Sequence, residues 1–311
     1  MTPAPHVSVV MGVYNGAATL HDSVRSVLSQ EDVDFEFIIV DDGSTDASAG
    51  ILDEFARADR RVRVIRQENR GLTRALIRGC AAAGGKYIAR HDCDDLSLPG
   101  KLGRELQVIE SQPGVALVSC GARFVGPKGE PLYEISSTGG DATDDLLTLD
   151  PRRLRGPAGH GSTLFRRDMY ERVGGYREQF YFAQDLDLWT RLVEHGRHVV
   201  IPDVLYQVNV ALGSISSLQR GRQVACANVI VECARLRRAG QTEATALAEA
   251  RAIVPDGKET RASYRADALY FVGACLRKRR DPRARQYFLD ALRAYPLHVK
   301  SAMRLILSYR A

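Results

Sequence analysis

Three carboxylates stand within four positions of the segment IARHDCDD, residues 88–95, directly after a short apolar run. Asp92, Asp94 and Asp95 repel one another and raise each other's pKa unless a cation neutralises them. A hard divalent ion bound through oxygen, such as Mg²⁺ or Mn²⁺, meets that requirement. The segment therefore predicts a metal site, with an acidic turn as the structural alternative.

A second acidic pair, Asp41 and Asp42, follows another apolar run in IIVDDGSTD. Ligands of open parallel sheets bind beyond the carboxyl ends of the strands, and both acidic groups come directly after predicted strands. DDGS by itself also suits a simple turn, so that alternative stays open. The chain has neither GxGxxG after the first strand nor GxxxxGK[ST] anywhere. We therefore expect metal, rather than a Gly-rich loop, to hold the phosphates of a nucleotide diphosphate.

Short apolar strands alternate with amphipathic helices through residue 120. This alternation predicts an α/β fold whose mostly parallel central sheet is flanked by helices. Residues 126–161 show little periodicity and are expected to lack regular structure, and a stretch of that kind usually has a function. Further along the chain, only a short strand is expected at Val199–Ile201. From residue 216 onward Ala, Leu and Arg dominate, which predicts helices. Ala284, Phe288, Ala291 and Pro296 have the spacing of half a tetratricopeptide repeat, and without a second copy this favours one helical hairpin.

Charge divides the chain into an acidic part and a basic part. Residues 214–311 contain 19 Lys and Arg against 8 Asp and Glu, although the whole chain carries only +5. We expect an α/β domain at 1–213 and a basic α-helical region at 214–311. The sequence shows no signal peptide or membrane span, and its six cysteines form no CxxC pair or zinc spacing. A cytoplasmic location with reduced thiols follows as the expectation.

Several motifs, in the correct order over about residues 7–216, resemble the family 2 glycosyltransferases of the GT-A fold. They are VSVVMGVYNG, IIVDDGSTD, ENRGLTRAL with AAGGKYIARHDCDD, HGSTLFRR with VGGY, and AQDLDLW. One of them alone would be weak evidence, whereas together in sequence order they are strong. The resemblance implies a metal-dependent, inverting transferase that uses a nucleotide sugar, with the C-terminal helices as an extension of its GT-A domain.

The resemblance also implies roles on the donor side. Asp42 would hydrogen-bond the nucleobase beside Gly12 and Tyr14. Asp94 would ligate Mn²⁺ or Mg²⁺ directly, and Asp92 would contact the ribose or the metal's water shell.

Further donor contacts are less specific. Asp95 matches a frequent extra acid of the family motif. Arg74 could reach the nucleotide, or could simply lie on a helix surface. His160 could face the donor phosphates or the acceptor, or could be a satisfied loop histidine.

The catalytic base implied by the resemblance is Asp185. The family usually has Glu-Asp where this chain has Gln184-Asp185, so the essential acid is retained. Taken without the resemblance, Asp185 could be only a helix N-cap, and Trp189 in the same motif is expected in the core.

A second departure puts one set of donor contacts in doubt. Many relatives have Tyr-Arg-x-His where this chain has Tyr206, Gln207 and Asn209. The following Ser214 and Ser216 are expected in a C-terminal lid.

The expected reaction is a single inverting displacement, with UDP as the commonest donor nucleotide of the family. The expected acceptor is a glycan or lipid-linked glycan of bacterial-type cell-surface polysaccharide synthesis. The basic C-terminal helices are expected to contact the inner membrane surface, and no nucleic-acid partner is expected. A nucleotidyltransferase acting on sugar phosphates and a non-catalytic nucleotide-sugar-binding relative are the alternatives. GVYNGAATL lacks the cation that a nucleotidyltransferase would need after the first strand.

Overall fold

A computed structural model describes residues 5–31, 33–212, 220–255 and 262–308. The chain divides into two compact units. The first unit takes the described residues of Met1–Ala122, Ile135–Val208 and Ala225–Ile253. The second unit takes those of Arg123–Glu134, Asn209–Val224 and Val254–Ala311. The domain boundary expected between residues 213 and 214 stays a prediction.

The first unit begins with the predicted alternation of strands and helices. These elements are β1 (Val7–Val13), α1 (Leu20–Leu28), β2 (Phe35–Asp41), α2 (Ser48–Ala58), β3 (Val62–Arg66), α3 (Leu72–Ala81) and β4 (Tyr87–Arg90). The pairs β1–β2, β1–β4 and β2–β3 are parallel, with Val7 beside both Phe35 and Tyr87. Every residue of β1 is buried, as expected for a strand covered on both faces. The carboxyl ends of these strands therefore lie along one edge of the sheet.

The sheet then continues with antiparallel pairing. The next elements are β5 (Leu96–Ser97), α4 (Lys101–Ser111), β6 (Val115–Val125), β7 (Pro131–Ile135), β8 (Gly140–Asp141), α5 (Thr143–Leu147), a 3₁₀ turn (His160–Ser162), β9 (Thr163–Arg166), α6 (Arg167–Arg172), α7 (Gln184–Leu192) and β10 (Arg197–Asn209). β9 pairs antiparallel with both β4 and β6. The strand order is β3-β2-β1-β4-β9-β6-β10-β5. The turn at His160 leads directly into β9, which brings it beside the end of β4.

Two local predictions are wrong in extent. The stretch 126–161 contains β7, β8, α5 and the start of the 3₁₀ turn, although it shows little periodicity. The strand expected only at Val199–Ile201 is the 13-residue β10, which continues through Pro202. β7 pairs with the preceding strand β6 across the short connection 126–130, whereas β8 pairs with β10, which is distant in sequence. Pairing between strands that are distant in sequence leaves little trace in local periodicity. Pro202 also argues against a strand interior at its position in β10.

Helices make up most of the described chain after residue 219, as predicted. They are α8 (Arg220–Arg238), α9 (Ala244–Ala252), α10 (Ala262–Lys278), α11 (Ala284–Ala294) and α12 (Val299–Ser308). In the second unit α10 and α11 form the expected hairpin, in which a Cβ at Gly273 would lie 2.8 Å from Phe288 Cε1. None of the described helices is both long enough and apolar enough to cross a membrane.

Candidate active site

A buried arginine holds the acidic segment after β4. Arg90 has no exposed surface, and its Nη2 donates a 2.8 Å hydrogen bond to Asp92 Oδ1. Its Nη1 donates to the carbonyl oxygens of Val10 and His91, and its Nε donates to His160 Nε2 over 3.2 Å. A buried guanidinium requires this countercharge and these acceptors. Arg90 thus joins β1, the acidic segment and the turn at His160 in one network.

His91 lies beneath the acidic segment as a neutral ring. Its Nε2 is 2.9 Å from Ser23 Oγ, and its Nδ1 is 3.1 Å from Ser97 Oγ. Burial, together with the positive charges of Lys101 and Arg90, holds the pKa of His91 well below its usual value. A neutral imidazole has one donor and one acceptor nitrogen, and hydroxyl groups can serve both. His91 therefore orients the segment as an uncharged ring.

The three acids differ in exposure. Asp92 and Asp94 are half-buried, whereas Asp95 is buried. Burial raises the pKa of Asp94 to about 6, and the negative charge of Asp92 adds to this rise. A divalent cation would neutralise these negative charges and thereby favour their ionised forms. The carboxylates therefore fit a metal ion that prefers oxygen ligands.

The carboxylates would not form the whole coordination shell. Among the residues that the structure describes, no group of three or more His, Cys, Asp and Glu is arranged to hold a metal ion. A metal at Asp94 would therefore complete its shell with phosphate oxygens and water.

Asp42 organises the loop between β3 and α3. Its Oδ1 accepts hydrogen bonds from Gln67 Nε2 at 2.7 Å and Arg70 N at 2.9 Å, and its Oδ2 accepts one from Gly71 N at 2.8 Å. These contacts support the loop from within the protein. A carboxylate offers about four acceptor positions, so the expected nucleobase contact stays a prediction.

Tyr14 stands where β1 ends, and it is 50% exposed. The loop that follows is tied to the loop after β2, because Asn15 N donates to Ser44 Oγ over 3.1 Å. An exposed ring on this edge suits stacking against a base. Gly12 lies inside β1 instead, where a Cβ would be 2.9 Å from Leu72 Cδ1. Its visible role is to let α3 pack closely, and its contact with donor stays a prediction.

Asp185 lies in the first turn of α7, and the N-cap of this helix is Ala183. The alternative that Asp185 is the N-cap is therefore wrong. Ala183 has a φ of 54°, an uncommon left-handed conformation for a residue other than glycine. Burial raises the pKa of Asp185 to about 6, and the negative charge of Asp92 contributes to the rise. The fold thus brings Asp185 close enough to the acidic segment for the two charges to interact.

His160 is buried within the protein. Its Nε2 lies 2.6 Å from the Tyr176 hydroxyl oxygen and accepts the hydrogen bond from Arg90. Burial, and then the charge of Arg90, holds the pKa of His160 well below its usual value. These contacts are those of a satisfied loop histidine, and a contact with donor phosphate stays a prediction. Trp189 packs edge-on to the His160 ring and is buried, as expected for a core residue.

The remaining predicted residues lie in several environments. Arg74 is on the surface of α3, half-exposed, with its Nη2 3.2 Å from Glu178 Oε2. Gln207 is paired with Leu96 in the β10–β5 ladder. Asn209 ends β10. The expected lid residues Ser214 and Ser216 lie outside the described residues.

Two supports of the site were not identified from sequence. One is Arg90. The other is the hydroxyl of Tyr206, which accepts a 3.1 Å hydrogen bond from Asp92 N. A Cβ at Gly161 would overlap the Tyr206 ring, so a glycine is required there. Arg90 is the last residue of an otherwise apolar strand and stands two positions before Asp92, a pattern that a surface arginine would share.

Comparisons with known proteins agree with this arrangement. The family described as glycosyl transferase family 2 matches residues 8–174, more than half of the chain. EpsE of Bacillus subtilis (strain 168), a protein named as a glycosyltransferase, is 31% identical over 224 residues, which are 67% of this chain and 74% of EpsE. A glycosyltransferase-named protein of Haemophilus influenzae is 23% identical over 229 residues, 72% of this chain and 71% of that protein.

Solved structures share the fold. S. aureus TarS 1–349 in complex with UDP superposes with a TM-score of 0.55 at 15% identity, covering 93% of this chain and 89% of TarS 1–349. The mannosyltransferase PcManGT from Pyrobaculum calidifontis, in complex with GDP-Man and Mn²⁺, superposes with a TM-score of 0.57 at 18% identity, covering 98% of this chain and 88% of PcManGT. The fold is the GT-A type, with a central sheet between helices and a C-terminal helical extension. On the family match and the similarity to EpsE, this chain belongs to glycosyl transferase family 2.

Proposed function

We propose that the protein transfers a sugar, with inversion, from a nucleotide diphosphate sugar to a hydroxyl group of a glycan or lipid-linked glycan. One observation carries the proposal: Arg90 is hydrogen-bonded to both Asp92 and His160, and the His160 ring packs against Trp189 of α7, the helix that bears Asp185. An acidic segment that fits a donor–metal complex therefore lies near a separate carboxylate that can serve as a base. Such a pair matches the two sides of a displacement at an anomeric carbon.

The donor side is assigned to the residues at the carboxyl ends of β1, β2 and β4. Asp94 would hold Mn²⁺ or Mg²⁺ directly, with Asp92 near its water shell or the ribose. A bound ion of this kind offsets the charge that develops on the leaving nucleoside diphosphate. Arg90 keeps Asp92 in place through the 2.8 Å hydrogen bond. The exposed ring of Tyr14 and the carboxylate of Asp42 would face the base, and UDP is the favoured nucleotide.

Weaker donor contacts are proposed for Gly12, Arg74, Asp95 and His160. Support for a nucleotide-sugar donor comes from the structural neighbours, which were solved with UDP, UDP-GlcNAc or GDP-Man with Mn²⁺.

The acceptor side is assigned to Asp185. A base with a pKa near 6 is ionised at neutral pH and still attracts a proton appreciably. Asp185 would accept the proton of the acceptor hydroxyl as its oxygen attacks the anomeric carbon from the face opposite to the leaving diphosphate. The attack on that face inverts the anomeric configuration.

The proposed setting is the cytoplasmic side of a membrane, in the synthesis of a bacterial-type surface polysaccharide. The support is the basic balance of residues 214–311, which would attract an anionic lipid surface. Co-sedimentation with phosphatidylglycerol vesicles tests this setting. Replacement of the exposed Lys278, Arg279 and Arg280 by Gln should reduce binding, and unchanged binding would contradict membrane contact through them.

The test of the donor site is calorimetric titration of UDP, GDP, TDP and CMP, each with and without Mn²⁺. We expect one nucleotide to bind tightly and only in the presence of the metal. Asp94→Ala should abolish the metal-dependent part, whereas Asp22→Ala, at an exposed acid on α1, should leave it intact. The proposal fails if no nucleotide binds, or if binding is indifferent to both Mn²⁺ and Asp94.

A further inference from the structure

A cavity lies in the first unit, and no residue of the acidic segment lines it. It has a volume of about 290 Å³. Its floor comes from Ser119–Gly121 of β6 and from His198 and Val200 of β10, and its walls come from residues 135–142, Asp145 and residues 155–158. None of these residues has a role in the donor site or as the base. The volume is near the lower limit of small-molecule pockets, about 300 Å³, so it suits one small ring with its substituents.

A neutral histidine forms part of the wall of this cavity. His198 is 2% exposed, and its Nε2 lies 2.8 Å from Ser119 Oγ. Burial lowers the pKa of His198 to about 4, so the ring is neutral at physiological pH. His198 therefore adds a neutral, hydrogen-bonded wall to the cavity and no charge.

The charge of the lining favours an uncharged ligand. Asp141 is already engaged, because its Oδ1 accepts a hydrogen bond from Thr143 N over 2.9 Å and its Oδ2 lies 3.6 Å from Arg197 Nη1. Asp145 and Arg155 then contribute one charge of each sign. The wall offers no excess of positive charge for a phosphate or a carboxylate. The lining also offers four hydroxyl groups, those of Ser119, Ser136, Ser137 and Thr138.

The cavity wall is in contact with the helix that carries the proposed base. A Cβ at Gly156 would lie 2.7 Å from Trp189 Cζ3 and 3.4 Å from Leu186 Cδ1. Leu186 is the residue after Asp185, and both belong to α7. Glycine at position 156 therefore lets the wall approach α7 closely. The same wall continues along the chain into the turn at His160, which is bonded to Arg90.

We infer that this cavity is an acceptor subsite, which binds a neutral sugar unit next to the one whose hydroxyl group faces Asp185. The inference rests on the proposed function, because it assigns the cavity to the acceptor of that reaction. A sugar presents ring hydroxyls that can both donate and accept, which matches the serine and threonine hydroxyls of the lining. The cavity would thereby set which glycan is extended.

The test uses the full chain and the methyl glycosides of glucose, galactose, mannose and N-acetylglucosamine as probes, with binding followed by NMR. Thr138→Trp places a large ring at the exposed mouth of the cavity, while Glu54→Trp places the same ring on the exposed face of α2. We expect at least one glycoside to bind the unmodified protein. Thr138→Trp should weaken the affinity for that glycoside at least about tenfold, whereas Glu54→Trp should leave the affinity unchanged.

Nucleotide titration with Mn²⁺ on the same three proteins separates the two proposals. If nucleotide binds all three equally and the glycoside responds only to Thr138→Trp, the subsite is supported. If nucleotide binds but no glycoside does, or Thr138→Trp leaves glycoside affinity unchanged, the subsite is wrong and the donor site stands. Loss of nucleotide binding in every protein would instead overturn the proposed function.

Discussion

Arg90 and Asp92 form a 2.8 Å ion pair in which the guanidinium is wholly buried and the carboxylate is 26% exposed. The positive charge therefore supports the acidic segment from inside the protein, while the negative charge remains accessible to ligand. The pair also connects the segment to β1 and to the turn at His160. This asymmetry explains how closely spaced acids can be held in place before any cation binds.

Removal of the buried guanidinium should affect both stability and donor binding. Arg90→Met removes the ion-pair partner of Asp92. It also removes the hydrogen bonds that Arg90 donates to the Val10 carbonyl oxygen and to His160. Breaking a buried pair in this way costs about 3–5 kcal/mol, which urea unfolding at pH 7 would measure. Arg90→Lys keeps the positive charge but loses the planar array of guanidinium donors. Its free energy of unfolding should therefore lie between those of Arg90→Met and the unmodified protein. Equal unfolding midpoints for all three would contradict a supporting role.

Asp185→Asn should separate binding from turnover. The substitution preserves shape but removes the basic oxygen, so transfer should fall by a factor of about 100 or more. Nucleotide affinity with Mn²⁺ should remain within about twofold, since the donor contacts lie elsewhere. Asp187→Asn is not a suitable control, because Asp187 is buried and paired with Arg191 at 2.6 Å. The exposed Asp168 of α6 is suitable, and Asp168→Asn should retain full turnover. Normal turnover of Asp185→Asn would refute the base assignment.

The pH profile should follow the raised pKa of Asp185, about 6. A base acts when ionised, so kcat should rise as pH increases through about 6 and then level off.

The stability of the fold should also depend on the ionisation of Asp185. Its pKa in the folded protein lies above the ordinary value of 3.8, so the folded state favours the protonated carboxyl group. This contribution to the free energy of unfolding is lost as pH rises through about 6. Asp185→Asn should thus be more stable than the unmodified protein at pH 7.5, by about 1–2 kcal/mol, and equally stable near pH 4. Denaturant unfolding at both pH values checks the sign, and a variant less stable at pH 7.5 would contradict it.

Tyr14 should contribute through its exposed ring. Tyr14→Ala should weaken nucleotide binding by about 1–3 kcal/mol if the ring stacks on the base. Tyr14→Phe keeps the ring and should bind nearly as tightly as the unmodified protein. Calorimetry with Mn²⁺ present compares the three, and equal affinities would place the base elsewhere.

Another buried ion pair lies between Lys101 and Glu105 on α4. Their charged atoms are 3.0 Å apart, and the side chains are 1% and 0% exposed. Lys101→Met alone should destabilise the protein by about 3–5 kcal/mol, whereas Lys101→Met with Glu105→Leu should be close to neutral. Urea unfolding measures both.

An exposed pair on α8 provides the matched control for this prediction. Arg235 and Glu232 lie 2.8 Å apart but are 58% and 46% exposed. Arg235→Met should therefore cost less than about 1 kcal/mol. Equal losses for Lys101→Met and Arg235→Met would show that burial of the Lys101–Glu105 pair has no effect.

Local patterns in the sequence determined the first half of the fold and the positions of the acids. Strands β1 to β4 are continuous apolar runs between amphipathic helices, and each property is set within a few residues. Asp42 and Asp92 follow β2 and β4 at the expected edge because parallel strands all end on the same side. The ordered motifs then identified the family, which the comparisons confirm.

Tertiary structure alone decided how these parts support one another. Nothing local distinguishes the fully buried Arg90 from a surface arginine, because its burial depends on β1, β9 and the turn at His160 closing around it. The length of β10 and the presence of β8 were set by pairing between strands that are distant in sequence. The interaction of Asp92 with Asp185 joins residues far apart in sequence. Burial and electrostatics depend on distance in space, and a sequence specifies that distance only through the completed fold.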